Sequence, residues 1–168
     1  PDFVGNAILK ARAAYLHTGA PALSDDSGLS VLALNGRPGV RSARYVSGTD
    51  RDRYEALLVE MHDITDRRAW FTCAIAVAGI PKPTRLPEGI QWLDECLVVE
   101  GRGDGVISRE ARGSNGFGYD PIFELPNGLT TAEITPSEKH AISHRGRAAR
   151  RIADILSNFF IDGSASRR

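Results

Sequence analysis

The chain has 168 residues, enough for one domain with a hydrophobic core, and its 42% hydrophobic and 25% charged residues are typical of globular proteins. Lysine plus arginine and aspartate plus glutamate number 21 each, so no net charge draws the chain to nucleic acid or to a membrane surface. No apolar run approaches the roughly 20 residues of a membrane span. The two cysteines, Cys73 and Cys96, lie far apart and are predicted to be buried free thiols in a reducing, cytoplasmic setting.

The chain begins PDFVGNAILKARAAY, without an initiator methionine, and enters a helical pattern almost at once. Such a start is typical of a fragment or of a processed product. Apolar residues over 6–17 have helical spacing, and Gly19 and Pro21 end that helix. The segment PALSDDSGLSVLAL is apolar on both sides of a polar centre, which predicts a strand, a turn, and then a second strand or extended chain. A second helix is predicted over 51–62.

Strand patterns dominate the middle of the chain. The run AWFTCAIAVAG has few charges and predicts a central strand that is buried on both faces. The segment IPKPTRLPEG contains three prolines and predicts a surface loop. ECLVVEGR and GVISRE are interpreted as two strands joined by a turn at GRGDG, whose RGD tripeptide is too short to indicate adhesion. A short strand is predicted over 121–125.

Two helices are predicted near the end. Thr135, Pro136 and Glu138 have the types and spacing of an N-cap, a first helical residue and a capping-box acid. A longer helix is predicted from about Ser143, followed by a disordered tail over 162–168. Helices and strands are interspersed without a repeat or a linker, which favours a single α/β domain over 1–161.

The motif SDDSG places Asp25 and Asp26 side by side before a glycine. Mg²⁺ prefers hard oxygen ligands and usually takes one or two carboxylates, so the pair is a candidate metal site. Either carboxylate is alternatively a candidate to orient or deprotonate a water molecule. On this motif alone, a solvated turn capped by Ser27 is the favoured interpretation, because neighbouring aspartates are common.

The motif ISHRGRAARR places His144 and Arg145 in the first turn of the last helix, after Ser143 as N-cap. Exposed backbone N–H groups there favour anions or carbonyl oxygens, whereas an arginine opposes the helix dipole. Arg145 thus indicates either a ligand or a solvated basic face, and the motif does not decide between them. Lys10 and Lys139, taken singly, have the pattern of solvated lysines.

The stretch GSNGFGYDPIF combines three glycines with Phe117 and Tyr119. Glycines let a flat ligand approach the backbone, and an aromatic ring can stack on a base. Asp120 is a candidate acceptor for ring N–H groups. Without further context, a bulged strand with aromatic core residues is the favoured interpretation.

Four motifs occur here in one order: NAILKARAA, ALSDDSGLSVLALNGRPGVRSARY, GSNGFGYDPIF and ITPSEKHAISHRGRA. In order and wording they closely resemble the inosine triphosphate pyrophosphatase family, the non-canonical purine NTP pyrophosphatases, from about Phe3 to about Ile155. The resemblance implies an elongated, two-lobed α/β fold around a long mixed sheet, with a substrate cleft between the lobes and usually a homodimer. It also implies a Mg²⁺-dependent hydrolase that converts ITP, dITP and XTP to the monophosphate and pyrophosphate, cleansing the nucleotide pool.

The same resemblance implies roles for individual residues. Asp26 matches the proton acceptor and metal contact, with Asp25 as its acidic neighbour and second candidate ligand, and Ser27 matches a substrate contact. The other implied substrate contacts are Lys10, Lys139, the base-binding run Phe117, Gly118, Tyr119 and Asp120, and the pair His144 and Arg145. Phe117 is expected to stack on the base, and the His144–Arg145 pair to read the 6-oxo edge of the purine.

The chain departs from the family pattern at its start. In the family, a strand, a phosphate-binding loop with Ser or Thr, Asn and Lys, and a metal-binding glutamate precede the segment that matches Phe3. Gly5 also stands where the family often has an acid. These departures leave an alternative open, a non-catalytic purine-nucleotide-binding protein that is truncated or degenerate. A third hypothesis is a house-cleaning enzyme of the Maf type, which acts on modified pyrimidine nucleotides.

Overall fold

The computed structural model describes residues 2–165, with the surroundings of side chains up to residue 157. The helices of this part are α1 (Phe3–Thr18), α2 (Asp50–Glu60), α3 (Pro136–Ile142) and α4 (His144–Ala165). The strands are β1 (Ala22–Val31), β2 (Arg68–Ala78), β3 (Ile90–Leu93), β4 (Cys96–Ile107) and β5 (Phe123–Glu124). Short 3₁₀ helices span Leu32–Leu34, Gly39–Arg44 and Asp120–Ile122. The predicted α/β class is confirmed.

The chain folds as two compact units, each with its own hydrophobic core. The first unit comprises the chain up to Asp26, Cys73–Gly101, and the chain from His144 onward. The second unit comprises Ser27–Thr72 and Arg102–Ser143. Strands β1, β2 and β4 each contribute residues to both units. The single domain over 1–161 stays a prediction.

In the first unit, strand β2 is buried on both faces, as its apolar run predicts. Successive side chains of a strand point to opposite faces, so residues 73–78 alternate between two clusters. The cluster on the α1 face consists of Ala7, Ile8, Ala11, Ala74, Ala76, Ala78, Cys96 and Val98. The cluster on the α4 face consists of Cys73, Ile75, Val77, Ile90, Leu97, Val99, Ala148 and Ile152. Both cysteines are buried and free, as predicted.

The second unit buries one cluster around helix α2, the ends of strands β1, β2 and β4, and strand β5. Its members are Leu29, Val31, Leu34, Leu57, Met61, Ala69, Ile107, Tyr119, Ile122 and Phe123. Helix α2 begins with a capping box, in which Thr49 and Asp52 each bond the other's backbone N–H. Asp50 is the first residue of this helix.

The strand order is β1-β2-β4-β3, and β5 pairs with β4. Strand β3 is antiparallel to β4, with partners from Ile90↔Val99 to Leu93↔Cys96, and β5 is antiparallel to β4 through Val106↔Glu124 and Ile107↔Phe123. Strands β1 and β4 run from the first unit into the second, and β2 between them runs the other way. These five strands therefore form an antiparallel sheet, where the family resemblance implies a mixed one.

Two predicted turns are wrong, because both segments lie inside strands. SDDSG belongs to the single ten-residue strand β1, which continues to Val31. Only Leu32–Leu34, at the end of the segment expected to be a second strand or extended chain, is a 3₁₀ helix. GRGDG belongs to the continuous strand β4. Two of its three glycines serve close packing instead of a turn, since a Cβ atom at Gly101 would overlap the His144 carbonyl oxygen and one at Gly105 the Glu124 carbonyl oxygen.

The helix predictions agree more closely with the structure. Helix α1 spans the predicted segment and ends at Gly19, whose φ of 69° is left-handed. The capping box of Thr135 and Glu138 is confirmed at the start of α3. The strand predicted over 121–125 is shorter, because Asp120–Ile122 is a 3₁₀ helix. Helix α4 is described through Ala165, and residues 166–168 lie outside the described residues, so the tail over 162–168 stays a prediction.

Candidate active site

Several predicted site residues meet in the first unit, in a group that we call the carboxylate cluster: Asn6, Lys10, Asp25, Asp26 and Arg145. Asp25 and Asp26 are consecutive in β1, so their side chains leave opposite faces of the strand. Asp26 bonds to side chains of helix α1, and Asp25 to a side chain of helix α4. The strand therefore separates two carboxylates that the sequence places side by side.

Helix α1 holds the Asp26 carboxylate with two donors. Lys10 Nζ lies 2.9 Å from Oδ1, and Asn6 Nδ2 donates to Oδ2 over 3.0 Å. Residues 6 and 10 are one helical turn apart and lie on the same helix face. Lys10 also donates to the backbone carbonyl of Asp25. These donors orient the Asp26 carboxylate. Its side chain is 21% exposed, so the carboxylate is still accessible to a small ligand.

Helix α4 places Arg145 on the other carboxylate. Its Nε and Nη2 lie 3.2 and 3.0 Å from Oδ2 of Asp25. An arginine in the first turn opposes the helix dipole, and the negative charge of Asp25 offsets that cost. The contact gives Arg145 a carboxylate partner within the protein. Its expected contact with a purine stays a prediction.

Phe117 and Tyr119, two of the three aromatic residues of GSNGFGYDPIF, differ in exposure in the second unit. The Phe117 side chain is 62% exposed, whereas Tyr119 is 4% exposed and belongs to the core. The Tyr119 hydroxyl donates to the Ser42 carbonyl oxygen over 2.9 Å, and burial raises the pKa of Tyr119. The predicted bulged strand is wrong here, because residues 113–119 form a loop. By exposure, Phe117 is thus the better candidate of the two for stacking on a ligand.

Asp120 and Lys139 support this loop. Asp120 is buried and its Oδ2 accepts the Phe117 N–H over 2.7 Å, while Oδ1 accepts the Thr131 hydroxyl over 2.8 Å. Lys139 forms an ion pair with Asp120, and its Nζ lies 4.5 Å from the centroid of the Phe117 ring. The Asp120 carboxylate thus has protein partners on both oxygens, and its expected contact with a purine ring stays a prediction.

Gly118 adopts a left-handed φ of 62°, which glycine tolerates best. Its N–H donates to Oδ2 of Asp50 over 2.6 Å. The other oxygen of Asp50 accepts Nη2 of Arg53 over 2.5 Å. The Arg53 guanidinium first, and the Gly118 N–H second, lower the pKa of Asp50 below its ordinary value. A neighbouring glycine, Gly116, has no room for a side chain, because a Cβ atom there would overlap the Asp120 carboxylate.

The structure does not test the expected roles of two further predicted site residues, Ser27 and His144. Ser27 follows Asp26 directly in β1 and is half-buried. His144 is the first residue of α4 and is also half-buried. Their expected substrate contacts stay predictions.

Sequence reasoning missed Asn6 and Asp50. Asn6 was detectable, because it lies four residues before Lys10 and therefore on the same face of a predicted helix. Asp50 gave no such signal. An acid in the first turn of a helix is common for reasons of helix stability, and its partner Gly118 is 68 positions away.

The described residues contain few side chains grouped in a way that would bind a metal ion. Within residues 2–165, no group of three or more histidine, cysteine, aspartate or glutamate side chains is placed to hold a metal ion. Mg²⁺ commonly uses one or two carboxylates and completes its shell with water and substrate phosphates. The partly exposed carboxylate of Asp26 fits that mode. None of the helices in the described part is long and apolar enough to cross a membrane.

The fold and these two groups of residues define an α/β protein with an oriented carboxylate in one unit and an aromatic, lysine-flanked loop in the other. The chain belongs to the Ham1 family, whose model matches residues 1–155. It is 46% identical over 167 residues to a dITP/XTP pyrophosphatase from Coxiella burnetii (strain RSA 493 / Nine Mile phase I), covering 95% of this chain and 77% of that protein. It is also 46% identical over 164 residues to a dITP/XTP pyrophosphatase from Salmonella paratyphi A, covering 93% and 77%.

Solved structures agree with this membership. The Staphylococcus aureus Ham1 protein matches with a TM-score of 0.82 and 39% identity, covering 94% of this chain and 78% of that one. A HAM1 protein from Coxiella burnetii matches with a TM-score of 0.82 and 44% identity, covering 94% and 77%. The family resemblance inferred from four sequence motifs is confirmed.

Proposed function

We propose that this protein hydrolyses dITP, XTP and ITP to the nucleoside monophosphate and pyrophosphate, and so removes deaminated purines from the nucleotide pool. The observation that carries the proposal is the 46% identity, over 95% of the chain, to a relative named dITP/XTP pyrophosphatase. The oriented Asp26 carboxylate of the first unit, and the exposed Phe117 ring beside Lys139 in the second unit, are side chains suited to such a substrate.

Asp26 is the proposed proton acceptor. A water oxygen forms a bond to the α-phosphorus, the bond from that phosphorus to the bridging oxygen breaks, and pyrophosphate leaves. The proton lost by the water passes to Asp26. Asn6 and Lys10 fix the plane of the carboxyl group, so that one oxygen can be aimed at the attacking water. Ser27, next in the strand, is a proposed substrate contact.

Mg²⁺ is the proposed cofactor. When bound, the ion neutralises charge on phosphate oxygens and so favours attack at phosphorus. Asp26 is the protein ligand that we assign to it, together with water and substrate oxygens. Asp25, the second candidate ligand, leaves the opposite face of the strand and forms an ion pair with Arg145, and its role as a ligand stays a prediction.

Phe117 is the proposed stacking face for the base, and Lys139 and Asp120 hold the loop that carries it. His144 and Arg145 are the proposed donors to the 6-oxo group of hypoxanthine or xanthine. Adenine carries an amine at that position, so two donors would face each other unpaired. A buried polar mismatch of that kind discriminates between substrates by orders of magnitude.

The family resemblance further supports a cytoplasmic homodimer that acts on free nucleotides. Sedimentation velocity over a range of concentrations measures the mass of the particle directly. A species with twice the mass of the chain is the expected result.

Purified protein with Mg²⁺ tests the activity when it is supplied with ITP, dITP, XTP, ATP or GTP and the products are separated by ion-exchange chromatography. We expect IMP and pyrophosphate from ITP, with a kcat/KM at least about 100-fold above that for ATP. Release of orthophosphate, or equal turnover of ATP, contradicts the proposal. Binding of ITP without turnover would indicate the non-catalytic alternative, and preference for modified UTP the Maf-type one.

A further inference from the structure

Asp50, at the start of helix α2, holds the backbone of the loop that carries Phe117. Its Oδ2 accepts the Gly118 N–H over 2.6 Å. A hydrogen bond from a backbone N–H to an ionised carboxylate is shorter and stronger than a neutral one. This contact joins residues 68 positions apart, and both of them lie in the second unit.

The carboxylate of Asp50 is itself fixed in place. Its second oxygen accepts Nη2 of Arg53 over 2.5 Å, and Nη1 of the same guanidinium donates to the Gly48 carbonyl oxygen over 2.9 Å. Asp50 is also the first residue of a helix whose N-cap, Thr49, is bonded. Because both its backbone and its side chain are held, the Asp50 carboxylate is a rigid hydrogen-bond acceptor for the Gly118 N–H.

Three consecutive loop residues are each fixed by a different partner. The Phe117 N–H donates to Asp120, the Gly118 N–H donates to Asp50, and the Tyr119 hydroxyl donates to a backbone carbonyl. The Phe117 ring is mostly exposed, so core packing does not set its orientation. The two peptides beside Phe117 set the direction in which its side chain leaves the backbone, and Lys139 contacts the ring. The Gly118 N–H belongs to one of those two peptides.

We propose that Asp50 is a positioning residue for base binding, which acts by holding the Phe117–Gly118 peptide and thereby the face of the Phe117 ring. The proposal rests on the proposed function in taking Phe117 as the stacking face for a purine. It assigns Asp50 to the base end of the nucleotide, so changes at Asp50 weaken binding of a nucleobase and leave binding of bare phosphates unaffected.

A purely structural role for Asp50 makes a different prediction. An acid in the first turn stabilises a helix through the dipole, and its loss lowers the stability of the protein as a whole. Such a loss would weaken base and phosphate binding together, or neither. The two roles are therefore separable by comparing ligands with and without a base.

The test uses the Asp50→Ala and Asp50→Asn variants, with Glu55→Gln as the matched control. Glu55 lies on the same helix and forms an exposed ion pair with Arg51, so its replacement also removes one carboxylate from α2. Calorimetry measures the affinity for IMP and for tripolyphosphate, steady-state kinetics measure KM and kcat for ITP, and NMR hydrogen exchange measures protection of the Gly118 amide. In Asp50→Asn the amide oxygen can still accept the Gly118 N–H, so this variant is expected to be intermediate.

We expect Asp50→Ala to bind IMP about tenfold more weakly, to raise the KM for ITP more than it lowers kcat, and to bind tripolyphosphate as the wild type does. The Gly118 amide should exchange at least about tenfold faster in Asp50→Ala and at the wild-type rate in Glu55→Gln. Unchanged IMP affinity, or equal weakening of IMP and tripolyphosphate, overturns the proposal. If wild-type protein fails to hydrolyse ITP, the proposed function fails, and the Gly118 exchange rate still decides whether Asp50 holds the loop.

Discussion

Lys10 and Asp26 form an ion pair with 2.9 Å between Nζ and Oδ1, and Asn6 donates to the other carboxylate oxygen from one helical turn earlier. Two donors on one face of helix α1 therefore fix both oxygens of a single carboxylate on strand β1. A group that must accept a proton from a positioned water benefits from such a fixed orientation, because misalignment costs rate more than it costs binding.

Replacing Asp26 with Asn is expected to reduce turnover of ITP by about 10²- to 10⁴-fold, since the amide cannot accept the proton of the attacking water. Binding of ITP should persist. Turnover is measured by pyrophosphate release, and binding by calorimetry with the variant. Asp63→Asn is the matched control, because Asp63 is an exposed aspartate of the second unit and not a member of the carboxylate cluster. Turnover of Asp26→Asn at the wild-type rate would refute the role of Asp26 as base.

Removal of divalent metal is expected to stop ITP hydrolysis, because the charge on the phosphate oxygens is then no longer neutralised. Turnover is followed in excess EDTA and again after Mg²⁺ is added back beyond the chelator. Recovery on addition of Mg²⁺ distinguishes loss of the ion from damage to the protein. Undiminished turnover in EDTA would show that the reaction needs no divalent ion.

Replacing Phe117 with Ala is expected to weaken IMP binding by roughly 1–3 kcal/mol, the range measured for loss of an aromatic stacking partner. The thermal midpoint should change little, because the ring is exposed and contributes little to the core. Calorimetry with IMP and thermal unfolding measure the two effects on the same preparation. Wild-type affinity for IMP would show that the base stacks elsewhere.

Tyr119→Phe provides the opposite pattern as a control for Phe117. It removes the hydroxyl that donates to the Ser42 carbonyl oxygen inside the core. The expected cost is about 1 kcal/mol in the free energy of unfolding, with little change in IMP affinity. A larger loss of IMP affinity than in Phe117→Ala would reverse the assignment of the two aromatic residues.

Much of the fold was predictable wherever burial decides the structure. The side chains of Cys73–Ala78 are apolar on both faces of the strand, and helices α1 and α4 cover those two faces. A continuous apolar run of this kind predicts a strand that is buried on both sides. The capping box at Thr135 was readable because it is a local arrangement of side chain and backbone. The turns predicted at SDDSG and GRGDG are wrong because both segments lie within long strands. There, strand pairing and close packing with distant residues decide the backbone conformation, and the local sequence does not show those contacts.

The same difference between local and long-range information applies to the candidate site. Residue types were recognisable from the four motifs, but their contacts depend on the faces of a strand and on distant partners. The separation of Asp25 from Asp26 follows only once both are known to lie within β1. The Asp50–Gly118 bond joins two elements that no local pattern relates, so only the folded chain reveals it.

Replacing Gly101 with Ala is expected to destabilise the protein by about 1–3 kcal/mol, the usual cost of overpacking. The new Cβ atom would overlap the His144 carbonyl oxygen and come within 3.1 Å of the Ala148 Cβ. Both obstacles belong to the first turns of α4, where Arg145 meets Asp25, so ITP turnover should fall as well. Urea unfolding measures the stability. A midpoint equal to that of wild type would show that α4 does not approach β4 so closely.

Replacing Tyr45 with Phe is expected to flatten the loss of stability at alkaline pH. Burial, with added effects of its partner Glu60, raises the pKa of Tyr45 from 10.0 to about 12 in the folded protein. Because the folded-state pKa lies above the unfolded one, this stabilisation is complete below pH 10 and is lost as the pH rises towards 12. The slope attributable to one proton is at most about 1.4 kcal/mol per pH unit.

Urea midpoints measured every half pH unit between 9 and 12 test this on wild type and Tyr45→Phe. The variant starts less stable, since it lacks the hydroxyl that donates to Glu60, but its curve should fall less steeply above pH 10. Tyr119, whose pKa is raised mainly by burial and to a smaller extent by Tyr45, contributes a downward slope to both proteins. The difference between the curves therefore measures Tyr45 together with its smaller effect on Tyr119, and parallel curves would show that the Tyr45 hydroxyl is not buried in the folded state.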